Sequence, residues 1–255
     1  MEAEDFDKQV VIVTGAGQGI GFEICRQLAL RGAIVILNDL ENELAEAAVK
    51  NIRLEGGKCK AAPGDAGDVQ FIRRLVEQTV LEYGSLDIAI SNAGITLFSD
   101  FFDYSPDSFY KVLQVNMGGT FFLAQSAAKQ MKKQKEGGSL LFTSSVVAHQ
   151  AHKNLAAYAM TKAGIEMLAK NLVIELSQFN ININTIAPGA TLTERTIEDA
   201  GYEKIWSQIT PSGRPCTVKD IADTALFLVS KKAKQITGQT VIIDGGWTAI
   251  SPSPF

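Results

Sequence analysis

Cysteine is scarce in this chain of 255 residues: Cys25, Cys59 and Cys216 are odd in number and far apart. That spacing offers neither a disulfide framework nor a paired-cysteine metal site, and it suits a reducing compartment, the cytoplasm. Histidine is scarcer still. His149 and His152 stand three apart without a third ligand at useful spacing, so no metal is expected. No apolar run reaches the roughly 18 residues that span a bilayer. The acidic opening "MEAEDFDKQV" has no apolar segment of the signal-peptide kind. Positive charge is not in excess: 24 Lys and Arg against 28 Asp and Glu leave a formal net charge of −4. Nucleic acid and membrane are therefore not expected as partners. Repeats and low-complexity tracts are missing too, apart from the short tail "SPSPF".

What is present is alternation. Apolar, β-branched runs at 10–14, 33–38, 59–62, 86–91, 139–144, 181–186 and 240–244 are separated by stretches with helical periodicity, such as 41–55, 68–83 and 154–178. Near-continuous apolar strands divided by helices predict a parallel sheet covered on both faces. The expectation is one α/β domain over 1–255, a doubly wound seven-stranded parallel sheet whose ligands bind beyond the carboxyl ends of the strands. Between Ala187 and about Val218 no strand is expected. Ile197, Tyr202, Ile205, Trp206 and Ile209 recur there at helical spacing, so residues 190–215 read as a structured helical lid over a substrate.

The first strand runs into "TGAGQGIG", Thr14 to Gly21, and then into a helix. Such a turn lets backbone N–H groups and the helix dipole approach a pyrophosphate. The pattern is T-G-x-x-x-G-x-G, through Thr14, Gly15, Gly19 and Gly21, and not G-x-G-x-x-G. Eighteen residues after Gly21, Asp39 sits at the tip of the second strand. A carboxylate there accepts from ribose hydroxyls and repels a 2′-phosphate, with Glu41 adding to the repulsion, which favours NAD over NADP. The plainer alternative for Asp39 is a helix N-cap.

Tyr158 and Lys162 stand four apart in "AAYAMTKAG", hence on one face of a helix. An ammonium beside a phenol favours the phenolate, the form that accepts a proton. Together with "NAG" at Asn92–Gly94, Asn116, Ser145 and "PG" at Pro188–Gly189, these motifs make the chain resemble the short-chain dehydrogenase/reductase family over nearly its whole length. The closing "ITGQTVIIDGGW" is also typical of the family. The resemblance implies a catalytic Asn116, Ser145, Tyr158 and Lys162. Tyr158 would exchange a proton with the substrate oxygen while hydride moves to or from nicotinamide, and Lys162 would bind the nicotinamide ribose. Ser145 would hydrogen-bond the reacting oxygen, and Asn116 would hold a water linking Lys162 to solvent. Ser145 is chosen over Ser144 by its 13-residue spacing to Tyr158. Gly118 and Gly119, behind Asn116, would permit a distortion of the helix there.

The resemblance assigns further cofactor contacts to Gly15, Gly19, Ile20, Gly21, Asp39, Asp65, Ala66, Asn92, Gly94, Pro188, Gly189, Thr191 and Thr193. Substrate is expected against Ser145, Tyr158, Val147, His149 and Trp206, with Ile95, Phe98 and Ile197 nearby. The leading expectation is an NAD-dependent oxidoreductase acting on a secondary alcohol or carbonyl of a sugar, steroid-like or hydroxyacyl compound. Alternatives are a 3-oxoacyl-(acyl-carrier-protein) reductase using NADPH and a non-catalytic dinucleotide sensor or scaffold. Four lysines in "KQMKKQK" (129–135) read as a cationic helix end or as a docking patch for an acidic carrier protein. The helices after Gly118 and after Tyr158 are apolar on more than one face, and the family commonly forms tetramers through such helices. A homotetramer is expected.

Overall fold

A computed structural model describes residues 5–250; the tail "SPSPF" lies outside the described residues, as do the first four. Among the described residues one seven-stranded sheet forms the centre, built from β1 (Val10–Val13), β2 (Ile34–Leu37), β3 (Lys58–Ala61), β4 (Ile88–Ser91), β5 (Gly138–Thr143), β6 (Ile181–Pro188) and β9 (Thr240–Ile243). The strand order is β3-β2-β1-β4-β5-β6-β9, and every pairing is parallel. The chain reverses its direction of travel across the sheet between β1 and β4, and at that switch point a doubly wound sheet opens a crevice.

Alternation along the strands divides the core. Val11 and Val13 face a layer formed by α1 (Gly19–Leu30), α2 (Asn42–Leu54) and α9 (Val218–Val229), where Ile24, Leu28, Ile52 and Leu226 are buried. Val10 and Ile12 face the opposite layer, formed by α3 (Val69–Tyr83), α5 (Thr120–Met131) and α6 (Ala156–Leu176), where Ile72, Leu123 and Ile165 are buried. A strand buried on both sides cannot show polar alternation, which is why these strands read as unbroken apolar runs.

Two departures from expectation lie near the carboxyl edge. The 187–218 region is not strand-free: β6 extends to Pro188, and β7 (Thr191–Leu192) pairs in parallel with β8 (Cys216–Thr217). Two-residue strands carry too little apolar pattern to register in sequence. Between them lie the short helices α7 (Glu194–Ile197) and α8 (Tyr202–Ile209), neither with a buried residue, so the lid rests on the body without joining its core. The remaining helix, α4 (Pro106–Val112), begins with Pro106 after an Ser105 cap and continues into a π-helical stretch at Leu113–Gly119 before α5. That is the distortion expected around Gly118 and Gly119. A Cβ on Gly119 would stand 2.6 Å from the Ala66 carbonyl oxygen, so this close approach requires glycine.

Candidate active site

The glycine turn lies at the switch point. Gly15 and Gly19 adopt φ of +60° and +62°, a region costly for any residue with a side chain. A Cβ on Gly15 would also stand 2.6 Å from Ala93 Cα. The first turn of α1, with Ile20, has neither a side-chain cap at Gln18 nor an acidic residue, so its N–H groups face outward as an anion site. Asp39 turns toward this loop. Its Oδ2 accepts from Gly17 N at 2.9 Å and its Oδ1 from Glu41 N at 3.2 Å. The N-cap of α2 is Glu41, so Asp39 does not cap that helix. Asp65 accepts from Gly67 N at 2.7 Å and pairs with Lys111 at 3.4 Å. Asn92 donates to Gly15 O at 2.6 Å, and Thr14 Oγ1 accepts from Asn92 N and Ala93 N at 3.2 Å each. The ends of β1 and β4 are thereby locked into one ledge. Glycines without room for a Cβ, an uncapped helix start and a carboxylate facing the loop fit a dinucleotide.

The four residues singled out for chemistry lie on three elements: the π-helical stretch, the turn after β5, and α6. Asn116, fully buried in the π-helical stretch, holds Ile95 by both main-chain groups, accepting from its N at 2.8 Å and donating to its O at 3.0 Å. The same amide donates to Thr161 Oγ1 at 3.1 Å, tying β4's exit to α6. Lys162 is 3 % exposed; its Nζ donates to Thr143 O at 2.7 Å and stands 5.4 Å from the centre of the Tyr158 ring. A Cβ on Gly94 would lie 3.3 Å from Lys162 Nζ and 3.4 Å from Asn116 Oδ1, so the "NAG" backbone passes directly over both.

Ser145 opens a one-turn 3₁₀ helix, Val146–Ala148, just past β5. Its neighbour Ser144 donates to Glu166 Oε1 at 2.7 Å, and His149 Nε2 lies 3.0 Å from the same oxygen. His149 thus rests on Glu166 with its side chain partly exposed, and Val147 is buried within the turn.

The lid closes over this edge. Pro188 and Gly189 end β6, and a Cβ on Gly189 would meet Asp244 Cβ at 2.6 Å. Thr191 donates its N–H to the Tyr202 hydroxyl at 3.2 Å and its own hydroxyl to Gly189 O at 2.9 Å, rooting the lid. Thr193 caps α7, and its methyl group stands 3.6 Å from where a Gly19 Cβ would be, which brings the lid's start to the glycine turn. Trp206 on α8 meets Trp247 edge-on at 5.5 Å between ring centres, and His152 lies 5.1 Å from Trp247 and 6.5 Å from Trp206. Burial pushes the Tyr202 phenol beside them upward, against the Thr191 hydrogen bond. Asp244 anchors the turn that presents Trp247. Burial raises this carboxyl, but bonds from Thr248 and from Gly246 N outweigh it and leave the group below its ordinary range. The Nε2 of His152 is buried without a hydrogen-bond partner. Among the expected lining residues, Ile95 is held by Asn116, while Phe98 and Ile197 are exposed. In the sequence His152 is weighed only as a metal ligand, while Trp247 and Glu166 are not singled out; their nearness to "DGG" and Lys162 is the only signal.

The lysine patch lies elsewhere. Lys129 is in the last turn of α5 and Lys132 rests over the Phe179 ring at 4.4 Å, while Lys135 precedes β5 at the amino edge of the sheet. Among the described residues no cluster of His, Cys, Asp or Glu is arranged to hold a metal ion, and no helix is long and apolar enough to cross a membrane.

A Rossmann-type sheet, a glycine cradle at its switch point and a buried lysine beside a tyrosine define an oxidoreductase of the nicotinamide-dependent class. The sequence pattern described as enoyl-(acyl carrier protein) reductase matches residues 15–248. L-rhamnose-1-dehydrogenase of Scheffersomyces stipitis is 34% identical over 250 residues, covering 93% of this chain and 95% of that protein. The 3-oxoacyl-(acyl-carrier-protein) reductase FabG of Staphylococcus aureus is 36% identical over 238 residues, covering 92% and 96%. Among solved structures, a 7α-hydroxysteroid dehydrogenase complexed with NADH and 7-oxo glycochenodeoxycholic acid superposes with a TM-score of 0.89 at 34% identity, covering 94% of each chain. The chain belongs to the short-chain dehydrogenase/reductase family.

Proposed function

We propose that the protein is an NAD-preferring dehydrogenase/reductase that interconverts a secondary alcohol and its carbonyl, with a ring-form sugar as the substrate class. The observation that carries the reading is the passage of Gly94 over Lys162 and Asn116, which sets the buried ammonium between the dinucleotide ledge and Tyr158. Bound NAD supplies the hydride acceptor for the substrate carbon. In the oxidative direction the Tyr158 phenolate oxygen takes the hydroxyl proton as the carbonyl forms, and Ser145 donates a hydrogen bond to that oxygen. Lys162 keeps positive charge beside the phenolate and holds the nicotinamide ribose, and Asn116 supports the relay that returns the proton to solvent. Gly15, Gly19, Ile20 and Gly21 would cradle the pyrophosphate, Asp39 the adenosine ribose, Asp65 and Ala66 the adenine. Asn92, Gly94, Pro188, Gly189, Thr191 and Thr193 would line the nicotinamide half.

Two observations favour a sugar. The chain resembles an L-rhamnose dehydrogenase, and the clustered Trp206 and Trp247 rings under the lid are aromatic surfaces of the kind that pack against a pyranose's C–H side. A carrier-protein reductase using NADPH fits less well, because Asp39 repels a 2′-phosphate and the lysine patch stands at the sheet edge remote from Ser145. We also infer a homotetramer in the cytoplasm.

The test is a panel of L-rhamnose, a 7-hydroxysteroid and a 3-oxoacyl thioester with both nicotinamide cofactors. The expected result is sugar turnover with at least a tenfold preference in kcat/KM for NAD(H), about 1.4 kcal/mol. Tyr158→Phe should abolish turnover while NADH binding, followed by fluorescence, persists. Equal or better use of NADP(H) overturns the cofactor assignment, and unaffected turnover in Tyr158→Phe overturns the mechanism.

A further inference from the structure

Helix α6 carries a third functional group in register with the first two. Tyr158, Lys162 and Glu166 recur every four residues, one turn apart on one face. Glu166 is 8 % exposed, and its Oε1 receives the Ser144 hydroxyl at 2.7 Å and meets His149 Nε2 at 3.0 Å. Those two residues flank the turn that carries Ser145. Ser144 precedes it, and His149 closes it with its N–H on Val146 O at 2.9 Å. Inside the turn Ser145 has little else to hold it: its Oγ accepts only a long bond of 3.4 Å from Val147 N, and its carbonyl accepts from Ala148 N at 3.0 Å. The Lys162 carbonyl, 3.1 Å from Ser144 Oγ, offers the same hydroxyl proton a second acceptor.

A buried carboxylate is costly unless its lone pairs are used, and an apolar residue of similar size often serves a core as well or better. A carboxylate retained here, with both bonds on one oxygen, therefore calls for a role other than stability. We propose that Glu166 is a positioning residue for Ser145: a single carboxylate oxygen pins both flanks of the turn and so fixes the serine hydroxyl relative to Tyr158 on the same helix. This rests on the oxidoreductase reading above and adds to it a side chain that touches neither substrate nor cofactor. Small displacements of a group that hydrogen-bonds a reacting oxygen are expensive, on the order of 10²-fold in rate for about 1 Å.

The experiment is a double-mutant cycle on the full-length protein with NAD. Glu166→Leu should lower kcat by on the order of 10²-fold, with the NADH dissociation constant unchanged. Glu166→Gln, which keeps an acceptor oxygen in place, should restore most of the loss. In a Ser145→Ala background, where no hydroxyl remains to be aimed, Glu166→Leu should cost nothing further. Should Glu166→Leu not fold, His149→Ala against His149→Gln runs the same cycle from the exposed side. Equal losses in the two backgrounds, or a Glu166→Gln enzyme as impaired as Glu166→Leu, overturn the proposal. Absence of turnover by the wild type on every substrate overturns the underlying reading and this proposal with it; additivity in an active enzyme overturns this proposal alone.

Discussion

Cys59 lies on β3, and burial pushes its thiol up to about 12, against the nearby Arg53. Burial raises Cys216 to about 11, with Asp220 adding to the shift, and lifts Cys25 well above its ordinary value with Cys59 beside it. Thiolate is the reactive form, so burial keeps these side chains as weakly nucleophilic thiols at neutral pH. A disulfide-exchange reagent should find less than one reactive thiol in the native protein and all three after denaturation. One thiol reacting within seconds at pH 7.5 would contradict the burial. Some relations at this scale are legible in sequence. Tyr158 and Lys162 are four apart in one helix, and that geometry needs no knowledge of the rest of the chain. Asp39 was legible as a carboxylate at the tip of the second strand, but that the N-cap position of α2 falls on Glu41, and that Asp39 bonds Gly17 N, came only from the structure.

At the scale of elements, the π-helical stretch Leu113–Gly119 does what a regular helix could not. It drops Asn116 fully into the interior while α4 and α5 continue on either side. Two adjacent glycines made a distortion expected there, but not its kind, and the close approach of Gly119 to the Ala66 carbonyl comes from across the fold. Gly119→Ala would put a methyl 2.6 Å from that oxygen, and backbone on both sides must give way. Overpacking of this sort costs about 1–3 kcal/mol. Calorimetry should therefore record a lower Tm, with weaker NADH binding because Ala66 adjoins Asp65. An unchanged Tm would mean that the approach is looser than drawn. The lid is the other element with a split account. Its helices were anticipated from apolar spacing, whereas the β7–β8 pair that closes its base was not, since two residues per strand leave no period to read.

For the whole molecule the informative surface is on α6. Met160, Met167 and Ile174 are 47%, 56% and 84% exposed, seven residues apart, so they form an apolar seam down the outside of the helix. Phe121 on α5 and Tyr110 on α4 are exposed as well. A seam with heptad spacing suits the same helix of a second copy. Light scattering on the eluting protein should give about four times the chain mass, and Met167→Lys should move it to smaller species with folding intact. A monomer at micromolar concentration would refute the assembly.

Sequence by itself determined the strand order's raw material, the glycine turn, the acidic tip of β2 and the Tyr–Lys pair, because each is written in contiguous residues with a short period or a fixed offset. Tertiary structure alone decided which oxygen holds Ser144 and His149, and which three segments assemble the rings of His152, Trp206 and Trp247. It also decided that the lysines of 129–135 stand at the amino edge. Those outcomes depend on residues brought from distant parts of the chain by the packing of helices on a sheet, and no local pattern encodes such a meeting.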